Sequence, residues 1–232
     1  MVDINVYGSI GYDDDGGITA KRFSELLKEA GGDGVTIHIN SGGGNVFEAN
    51  AMSEMLRSYT GSKTAVIEGL AASAASYFAL TADEVRMNPS ALFMVHNPST
   101  YAWGTPDELR STADMLDKVR GTISRQYVAK TGLDMGDVEA LMDAETWLDA
   151  DEALEMGFVD SLTTDAPVTA MVTERDLKAY RNAPESLAGE PETTIQAASE
   201  PEPAGAAGDV TGAVSRVVCA HGSFLRTGST RQ

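Results

Sequence analysis

Apolar residues follow two alternating patterns over the first 162 residues of the chain. Short runs of β-branched and other apolar residues predict strands at 3–6, 35–39, 64–67, 85–87 and 92–95. Helical spacing of apolar residues, or a run of small residues, predicts helices at 19–30, 47–59, 71–82 and 106–131. Strands that alternate with helices favour an α/β fold with a largely parallel sheet and helical crossovers.

The rest of the chain has a different composition. Residues 163–232 contain five of the eight prolines, and residues 189–205 are rich in Pro, Glu, Ala and Gly. Such a composition buries too little apolar surface to offset the entropy of an ordered chain. We therefore predict a folded domain at 1–162, a short helical extension at 163–184, and an acidic, disordered tail rich in Pro, Ala and Gly at 185–232.

The chain is strongly acidic, with a formal net charge of −18. A surface of this charge repels phosphate groups, so we expect neither nucleic acid nor an anionic membrane as a partner. No apolar run is long enough to span a bilayer, and the first residues lack the pattern of a secretory signal. The single cysteine, Cys219, excludes an internal disulfide and a Cys-rich zinc site. We expect a cytoplasmic protein.

Three consecutive glycines, Gly42, Gly43 and Gly44, lie between a predicted strand and a predicted helix. Glycines allow a sharp turn and present bare backbone N–H groups. A phosphate-binding P-loop is excluded because no Lys followed by Ser or Thr comes after them, and the dinucleotide-binding fingerprint does not match. Two interpretations stay open: a tight strand–helix turn, which the motif alone favours, and an oxyanion hole.

Ser73 lies beside alanines close to a predicted strand-to-helix junction. Its small neighbours leave the hydroxyl accessible, and N–H groups at the start of the following helix favour a developing oxyanion. Close packing of a helix rich in Ala and Ser is the alternative explanation of the same residues. Ser76 is a second candidate nucleophile, but it lies about one helical turn further from the junction.

His96 ends an apolar segment just before a turn at Pro98. Histidine is the usual base for a serine hydroxyl because the pKa of its imidazole lies near neutrality. A lone histidine is more often a structural side chain, so the pattern alone leaves its role open. His38 alternates with isoleucines inside a predicted strand, and His221 lies in the tail, so we interpret both as structural.

Taken in order, five segments resemble the ClpP-type peptidases, the proteolytic subunits of the Clp machinery. The segments and the family motifs that they resemble are 39–46 (I-N-S-P-G-G-x-V, with Gly42 in place of proline), 69–73 (G-x-A-A-S), 88–98 (P-N-S followed by M-I-H-Q-P), 130–132 (the turn after the family's long helix) and 148–160 (L-S-A-x-E-A-x-x-Y-G-L-V-D). Each segment is short, but five in one order are specific. The resemblance covers about residues 35–162.

The resemblance implies an α/β fold of the ClpP/crotonase-like kind, with repeated β-β-α units, a largely parallel sheet and a protruding handle helix at 106–131. It also implies a serine peptidase in which Ser73 is the nucleophile and His96 is the general base. The backbone N–H groups of Gly44 and Ala74 would form the oxyanion hole. Such a site uses no metal ion and no cofactor.

The resemblance also points to an orienting acid. A carboxylate should hold the imidazole in place, and several acidic residues lie at 143–150. Charge alone selects none of them. Counting back from the closing motif, the family's catalytic Asp falls on Glu145. Glutamate presents the same carboxylate, but its extra methylene changes the geometry, so Asp143 stays an alternative.

Partners follow from the resemblance as well. The substrate would be a polypeptide, and the chain would assemble into a heptamer or double heptamer through its handle helix. The acidic tail and the segment at 144–147 resemble the head-maturation proteases of tailed phages and prophages, which would make the substrate a capsid or scaffold protein. The alternatives are a housekeeping Clp subunit that works with an unfoldase, a crotonase-like acyl-CoA enzyme, and a catalytically silent homologue.

Overall fold

The computed structural model describes residues 1–12, 16–164 and 180–184. The strands are β1 (Val2–Ile10), β2 (Val35–Gly44), β3 (Lys63–Ala72), β4 (Glu84–Met87), β5 (Leu92–Val95), β6 (Thr146–Leu148) and β7 (Ser161–Leu162). The helices are α1 (Ala20–Glu29), α2 (Val46–Ser58), α3 (Ala74–Ala79), α4 (Pro106–Thr131), α5 (Met135–Ala144) and α6 (Ala150–Glu155).

All strands belong to one seven-stranded sheet in which β1, β2, β3, β4 and β7 are neighbours in that order. Each of these pairs is parallel. The long strand β3 pairs first with β4 and then, through its last residues, with β5, which also runs parallel to it. Only β6 is antiparallel, and it extends the sheet beyond β5. The predicted α/β fold with a largely parallel sheet is therefore confirmed.

The hydrophobic core lies between one face of the sheet and the helices. Alternate residues of β1, β2 and β3 are almost fully buried on this face: Ile4, Val6, Ile37, Ile39, Ala65 and Ile67. They form one cluster with Phe23 of α1, Met52 of α2 and Phe78 of α3, and the two phenylalanine rings meet edge to face with centroids 5.5 Å apart. Each large apolar side chain buried in this way contributes about 1.5–3 kcal/mol.

The end of β3 differs from the sequence-based prediction. The Ala-rich run at 71–82 predicts a helix, but Leu70, Ala71 and Ala72 form the last part of β3, because they pair with Leu92, Phe93 and Met94 of β5. Helix α3 begins only at Ala74 and spans six residues. Ser73 is thereby placed between the end of a strand and the start of a helix.

The glycine run also differs from the expected tight turn. Strand β2 continues to Gly44, because Gly43 and Gly44 pair with Ser9 and Ile10 of β1. Strand β1 correspondingly continues past Gly8, beyond the predicted strand at 3–6. The turn into α2 is made by Asn45, whose side chain accepts hydrogen bonds from the first amides of the helix.

Helix α4 has the predicted bounds and protrudes from the core. Thr105 and Glu108 form a capping box at its start, and Gly132 ends it with a φ of 74°. Its buried residues, Ile123, Ser124 and Tyr127, all belong to its second half. The first half has exposed apolar side chains, Leu109 and Met115 among them.

The extension and the tail are described only in part. The helix predicted within 163–184 depends on residues 165–179, which lie outside the described residues, as does the tail at 185–232. Within the part of the chain that the structure describes, no helix is long and apolar enough to cross a membrane.

The buried hydroxyl of Ser76 gives a testable prediction about the core. It donates to the Ser73 carbonyl at 2.6 Å and lies 2.6 Å from the Tyr127 hydroxyl oxygen. Replacing Ser76 by Ala removes the partner of a buried hydroxyl, which should lower the free energy of unfolding by about 1–3 kcal/mol. Urea unfolding measures this loss.

The matched control is Ser58→Ala, at an exposed position of α2. It should change the free energy of unfolding by less than about 0.5 kcal/mol. Equal stability of the Ser76→Ala protein and the wild type would contradict the assignment of Ser76 to the core.

Candidate active site

Ser73 adopts an unusual backbone conformation at the junction of β3 and α3. Its φ is 55° and its ψ is −122°, and its N–H donates to the Met94 carbonyl at 3.1 Å. Among the described residues, only Ser73 and Glu145 combine a positive φ with a side chain. Such conformations cost about 1–3 kcal/mol and collect at functional sites, where the surrounding structure imposes them.

The Ser73 hydroxyl lies against the imidazole of His96. The distance between Ser73 Oγ and His96 Nε2 is 2.7 Å. Ala72 of β3 pairs with Met94 of the parallel strand β5, so Ser73, one residue after Ala72, and His96, two residues after Met94, leave the sheet at the same edge. The structure thus brings the Ser73 hydroxyl and the His96 imidazole together, in a geometry that suits a nucleophile and its base.

The environment of His96 keeps its imidazole neutral. Burial lowers the pKa of His96 below its ordinary value, and the nearby positive charge of Arg181 lowers it as well. The negative charge of Glu145 acts in the opposite direction, but burial is the largest effect. A neutral imidazole can accept the serine proton near pH 7.

Of the two candidate acids, Glu145 is the one whose charge acts on His96. Glu145 is buried, with 5% of its surface exposed, whereas the Asp143 side chain is 57% exposed. Asp143 Oδ1 accepts a hydrogen bond from the Asn97 side chain at 2.7 Å and lies 3.0 Å from the Arg120 guanidinium. The structure thus pairs Asp143 with other side chains and brings Glu145 close to the imidazole.

The carboxylate of Glu145 is nevertheless occupied by another segment of the chain. Its Oε1 accepts the backbone N–H of Asn182 at 2.7 Å, and its Oε2 lies 3.8 Å from Arg181 Nε. Among the described residues, no hydrogen bond joins Glu145 to His96. In this conformation Ser73 and His96 form a hydrogen-bonded pair, whereas Glu145 influences His96 through its charge without a hydrogen bond to it.

Gly43 lies directly beside the nucleophile. A Cβ on Gly43 would be 2.8 Å from both the Ala74 nitrogen and Ser73 Cβ, so only glycine fits here. The Gly43 N–H donates to Ser41 Oγ at 3.1 Å, and that hydroxyl donates to the Gly8 carbonyl at 2.6 Å. These bonds hold the glycine segment against β1.

The predicted oxyanion donors are the next amide of this segment, at Gly44, and the first amide of α3, at Ala74. Within the described part of the chain, the Gly44 N–H makes no hydrogen bond to a side chain. Gly43, the residue before Gly44, packs closely against Ser73 and the Ala74 nitrogen. The role of the Gly44 and Ala74 amides as donors stays a prediction.

The other serine and histidine candidates have structural partners. The Ser76 hydroxyl is buried between Ser73 and Tyr127. The His38 ring lies on the face of the sheet away from the main core, with Nδ1 2.9 Å from Glu68 Oε1 and Nε2 3.4 Å from Asp3 Oδ1. His221 lies outside the described residues. In the described ranges, no cluster of three or more His, Cys, Asp or Glu side chains is arranged to hold a metal ion.

Sequence reasoning missed Tyr180. Its ring lies edge to face against His96, with centroids 5.3 Å apart, and against Trp147, with centroids 5.6 Å apart. Its hydroxyl donates to the Gly42 carbonyl. The available signal was composition: Tyr180 is the one aromatic residue between Phe158 and Phe224 in an otherwise small and polar stretch.

The Clp protease family model matches residues 9–166, which include every side chain of the Ser73–His96–Glu145 group. This chain belongs to the Clp protease family. It is 34% identical over 128 residues to the "ATP-dependent Clp protease proteolytic subunit 1" of Protochlamydia amoebophila, an alignment that covers 53% of this chain and 62% of the relative. It is 30% identical over 156 residues to the protein of the same name from Chlamydia muridarum, covering 62% of this chain and 81% of the relative.

Other Clp relatives are matched over part of their length. The chain spans 66% of the "ATP-dependent Clp protease proteolytic subunit 2" of Thermobifida fusca, at 32% identity. Among solved structures, a mutant of ClpP1 from Listeria monocytogenes superposes with a TM-score of 0.62 at 24% identity, covering 70% of this chain and 91% of the other. That superposition shows the ClpP fold, as the sequence motifs predicted.

The opposed charges around His96 give a prediction about pH. Base catalysis is lost as His96 becomes protonated, so the reactivity of Ser73 should fall as the pH drops through the pKa of His96. Replacing Arg181 by Gln removes a charge that lowers this pKa, and the fall should move to higher pH. Replacing Glu145 by Gln removes a charge that raises it, and the fall should move to lower pH.

The measurement is the rate of Ser73 labelling by a fluorophosphonate across a pH series. Arg110→Gln, which changes an exposed guanidinium on α4, is the control and should leave the profile unchanged. Shifts of Arg181→Gln and Glu145→Gln in the same direction would contradict the assigned electrostatics.

Proposed function

We propose that this protein is a serine endopeptidase whose nucleophile is Ser73 and whose general base is His96. The observation that carries the proposal is the 2.7 Å contact between Ser73 Oγ and His96 Nε2. It occurs at a backbone conformation that few residues with a side chain adopt, between a strand and a helix. Nucleophilic serines of other hydrolases occupy comparable strained strand-to-helix turns.

The proposed reaction is acyl transfer to Ser73. His96 Nε2 accepts the Ser73 proton while Oγ attacks the carbonyl carbon of a peptide bond. His96 then donates this proton to the departing amine, and the peptide bond breaks to leave an acyl-serine. His96 next accepts a proton from water, which attacks the ester carbonyl; the bond to Ser73 Oγ breaks, His96 returns the proton to Oγ, and the acid product is released. Neither half of the cycle requires a metal ion or a nucleotide.

Backbone amides and one carboxylate would support this cycle. The N–H groups of Gly44 and Ala74 would bind the oxyanion, and each donor of this kind lowers the barrier of comparable hydrolases by about 3 kcal/mol. Glu145 would orient the imidazole and stabilise its protonated form. Burial of Glu145 and its influence on the pKa of His96 favour it over Asp143 for this role.

Two rival functions fit the same fold less well. A crotonase-like acyl-CoA enzyme would have no use for a bonded serine–histidine pair, and a phosphorylated cofactor is poorly matched to a net charge of −18. A catalytically silent homologue would not need to maintain a strained serine against a buried imidazole. The contact between Ser73 and His96 therefore favours the peptidase.

The substrate class rests on a finer resemblance. We propose a cytoplasmic protease of a phage or prophage that cleaves capsid or scaffold protein, because the acidic tail and the segment at 144–147 resemble that branch. The second candidate is a Clp subunit that receives substrates from an ATP-driven unfoldase, favoured by the names of the matched relatives. Co-expression with a phage capsid protein, followed by mass spectrometry, separates them: capsid cleavage without added ATPase supports the first.

A prediction on peptide cleavage tests the proposed nucleophile. Ser73→Ala should lose at least about a thousandfold in kcat on an unstructured peptide, as expected for loss of a catalytic serine. Ser76→Ala should retain activity at a temperature where it stays folded, because Ser76 is buried in the core. Equal cleavage by the wild type and Ser73→Ala would refute the assignment.

A second prediction concerns assembly. We propose that the exposed half of α4 packs against another copy of the chain, in the heptamer or double heptamer that the family resemblance implies. Leu109 and Met115 are 42% and 37% exposed in the single chain. Burying a charge in such an interface is costly, so the double variant Leu109→Asp/Met115→Asp should shift the molar mass from that of a ring towards that of smaller species.

Size-exclusion chromatography with light scattering measures this change. Ser111→Asp, on the same exposed half of the helix, adds a charge without removing an apolar side chain and should assemble as the wild type does. A wild type that is monomeric at working concentration would contradict the proposal.

A further inference from the structure

A short segment of the chain, residues 180–182, lies on the active site at three separate points. The Tyr180 hydroxyl donates to the Gly42 carbonyl in the glycine segment. The Tyr180 ring covers an edge of the His96 imidazole. The Asn182 backbone N–H donates to Glu145 Oε1 at 2.7 Å. The segment, which we call the strap, therefore spans the site from the glycine segment to the acid.

The first consequence concerns the acid. Glu145 would have to accept a hydrogen bond from the imidazole to orient it, yet its Oε1 accepts the Asn182 amide. The Asn182 side chain also donates to the Ala144 carbonyl at 2.9 Å, which holds the strap at the same place. Because Glu145 is buried, its carboxylate has little room to turn towards a second partner.

The second consequence concerns the space beside the nucleophile. Leu70, Ala72 and Met94 form a small apolar cluster on the face of the sheet opposite the main core, and Leu92, Trp147 and Tyr180 pack against it. Ala72 immediately precedes Ser73, so this cluster borders the serine. Tyr180 thus covers an apolar surface that a peptide side chain next to the cleaved bond would otherwise contact.

We propose that the strap is an intramolecular ligand of the active site: it occupies the place of a polypeptide and holds the Glu145 carboxylate away from His96. The inference rests on the proposed peptidase function. The chain is then restrained in the conformation described here and reaches full reactivity when the strap leaves. An extended peptide that brings a large apolar side chain to the cluster would compete with it for the same surface.

The strap makes contacts that a bound peptide could replace. They are hydrogen bonds that each join a backbone group to a side chain, and edge-to-face ring contacts, and an incoming peptide chain could reproduce both kinds. The Arg181 side chain between them is 76% exposed and contributes one long contact of 3.8 Å to Glu145. Exposed ion pairs of this length add little affinity, so the strap is held mainly by Tyr180 and Asn182.

The sharpest test compares Asn182→Pro with Asn182→Ala in the full chain. Both variants lose the side-chain bond to the Ala144 carbonyl, but only proline removes the backbone N–H that binds Glu145. The readout is the rate of Ser73 labelling by a fluorophosphonate. We expect Asn182→Pro to be labelled about tenfold faster than Asn182→Ala, since a hydrogen bond to a carboxylate shifts an equilibrium by about that factor.

Tyr180 provides an independent test of the same inference. Tyr180→Ala removes the ring that covers His96 and should accelerate labelling by about tenfold, a typical effect of removing a buried aromatic contact. A synthetic peptide with the sequence of residues 178–184, added to Tyr180→Ala, should slow labelling again. Tyr101→Ala, at a fully exposed tyrosine, is the matched control and should behave as the wild type does.

The outcomes separate this inference from the proposed function. Faster labelling of Asn182→Pro and Tyr180→Ala, with reversal by the peptide, supports the strap. Equal labelling of all variants at Ser73 overturns the strap and leaves the peptidase assignment intact. Absence of labelling at Ser73 in the wild type and in both variants, measured on folded protein, overturns the proposed function and the strap with it.

Discussion

The parallel pairing of β3 with β5 is the constraint on which the site depends. Three backbone pairs, ending with Ala72 and Met94, bring the two strands to one edge of the sheet. Ser73 leaves this edge with a positive φ, and its N–H is tied to the Met94 carbonyl. His96 leaves the same edge from β5, so the hydroxyl meets the imidazole at 2.7 Å. Without this pairing, neither the strain at the serine nor the contact would persist.

Local sequence patterns predicted much of this arrangement. The order of the motifs that resemble the family selected Ser73 and His96, and α4 has the predicted bounds, with Pro106 as its first residue and Gly132 directly after its last. The end of β3 was mispredicted as helix, because alanine favours a helix locally and only the distant strand β5 supplies the competing hydrogen bonds. The pairing of β3 with β5, two segments distant in the sequence, therefore sets the position of Ser73.

Local sequence patterns could not identify the acid or the strap, because contacts between residues distant in the sequence define both. Acidic residues surround Glu145 in the sequence, and its distinction from Asp143 comes from burial and from a left-handed backbone that tertiary packing imposes. The hydrogen bond from Asn182 joins residues 37 positions apart. A buried imidazole, a buried carboxylate and a covering tyrosine lie together in one small region. The charge of Glu145 raises the pKa of His96, burial lowers it, and the Tyr180 ring packs against the imidazole.

The most direct measurement of the central claim is the site of covalent modification. After reaction of the folded, full-length protein with a fluorophosphonate, peptide mapping by mass spectrometry should place a single adduct on Ser73. The same treatment of His96→Ala should give almost none, because the hydroxyl then lacks its base. An adduct on another serine, or equal modification of Ser73 in the absence of the imidazole, would contradict a reactive Ser73–His96 pair.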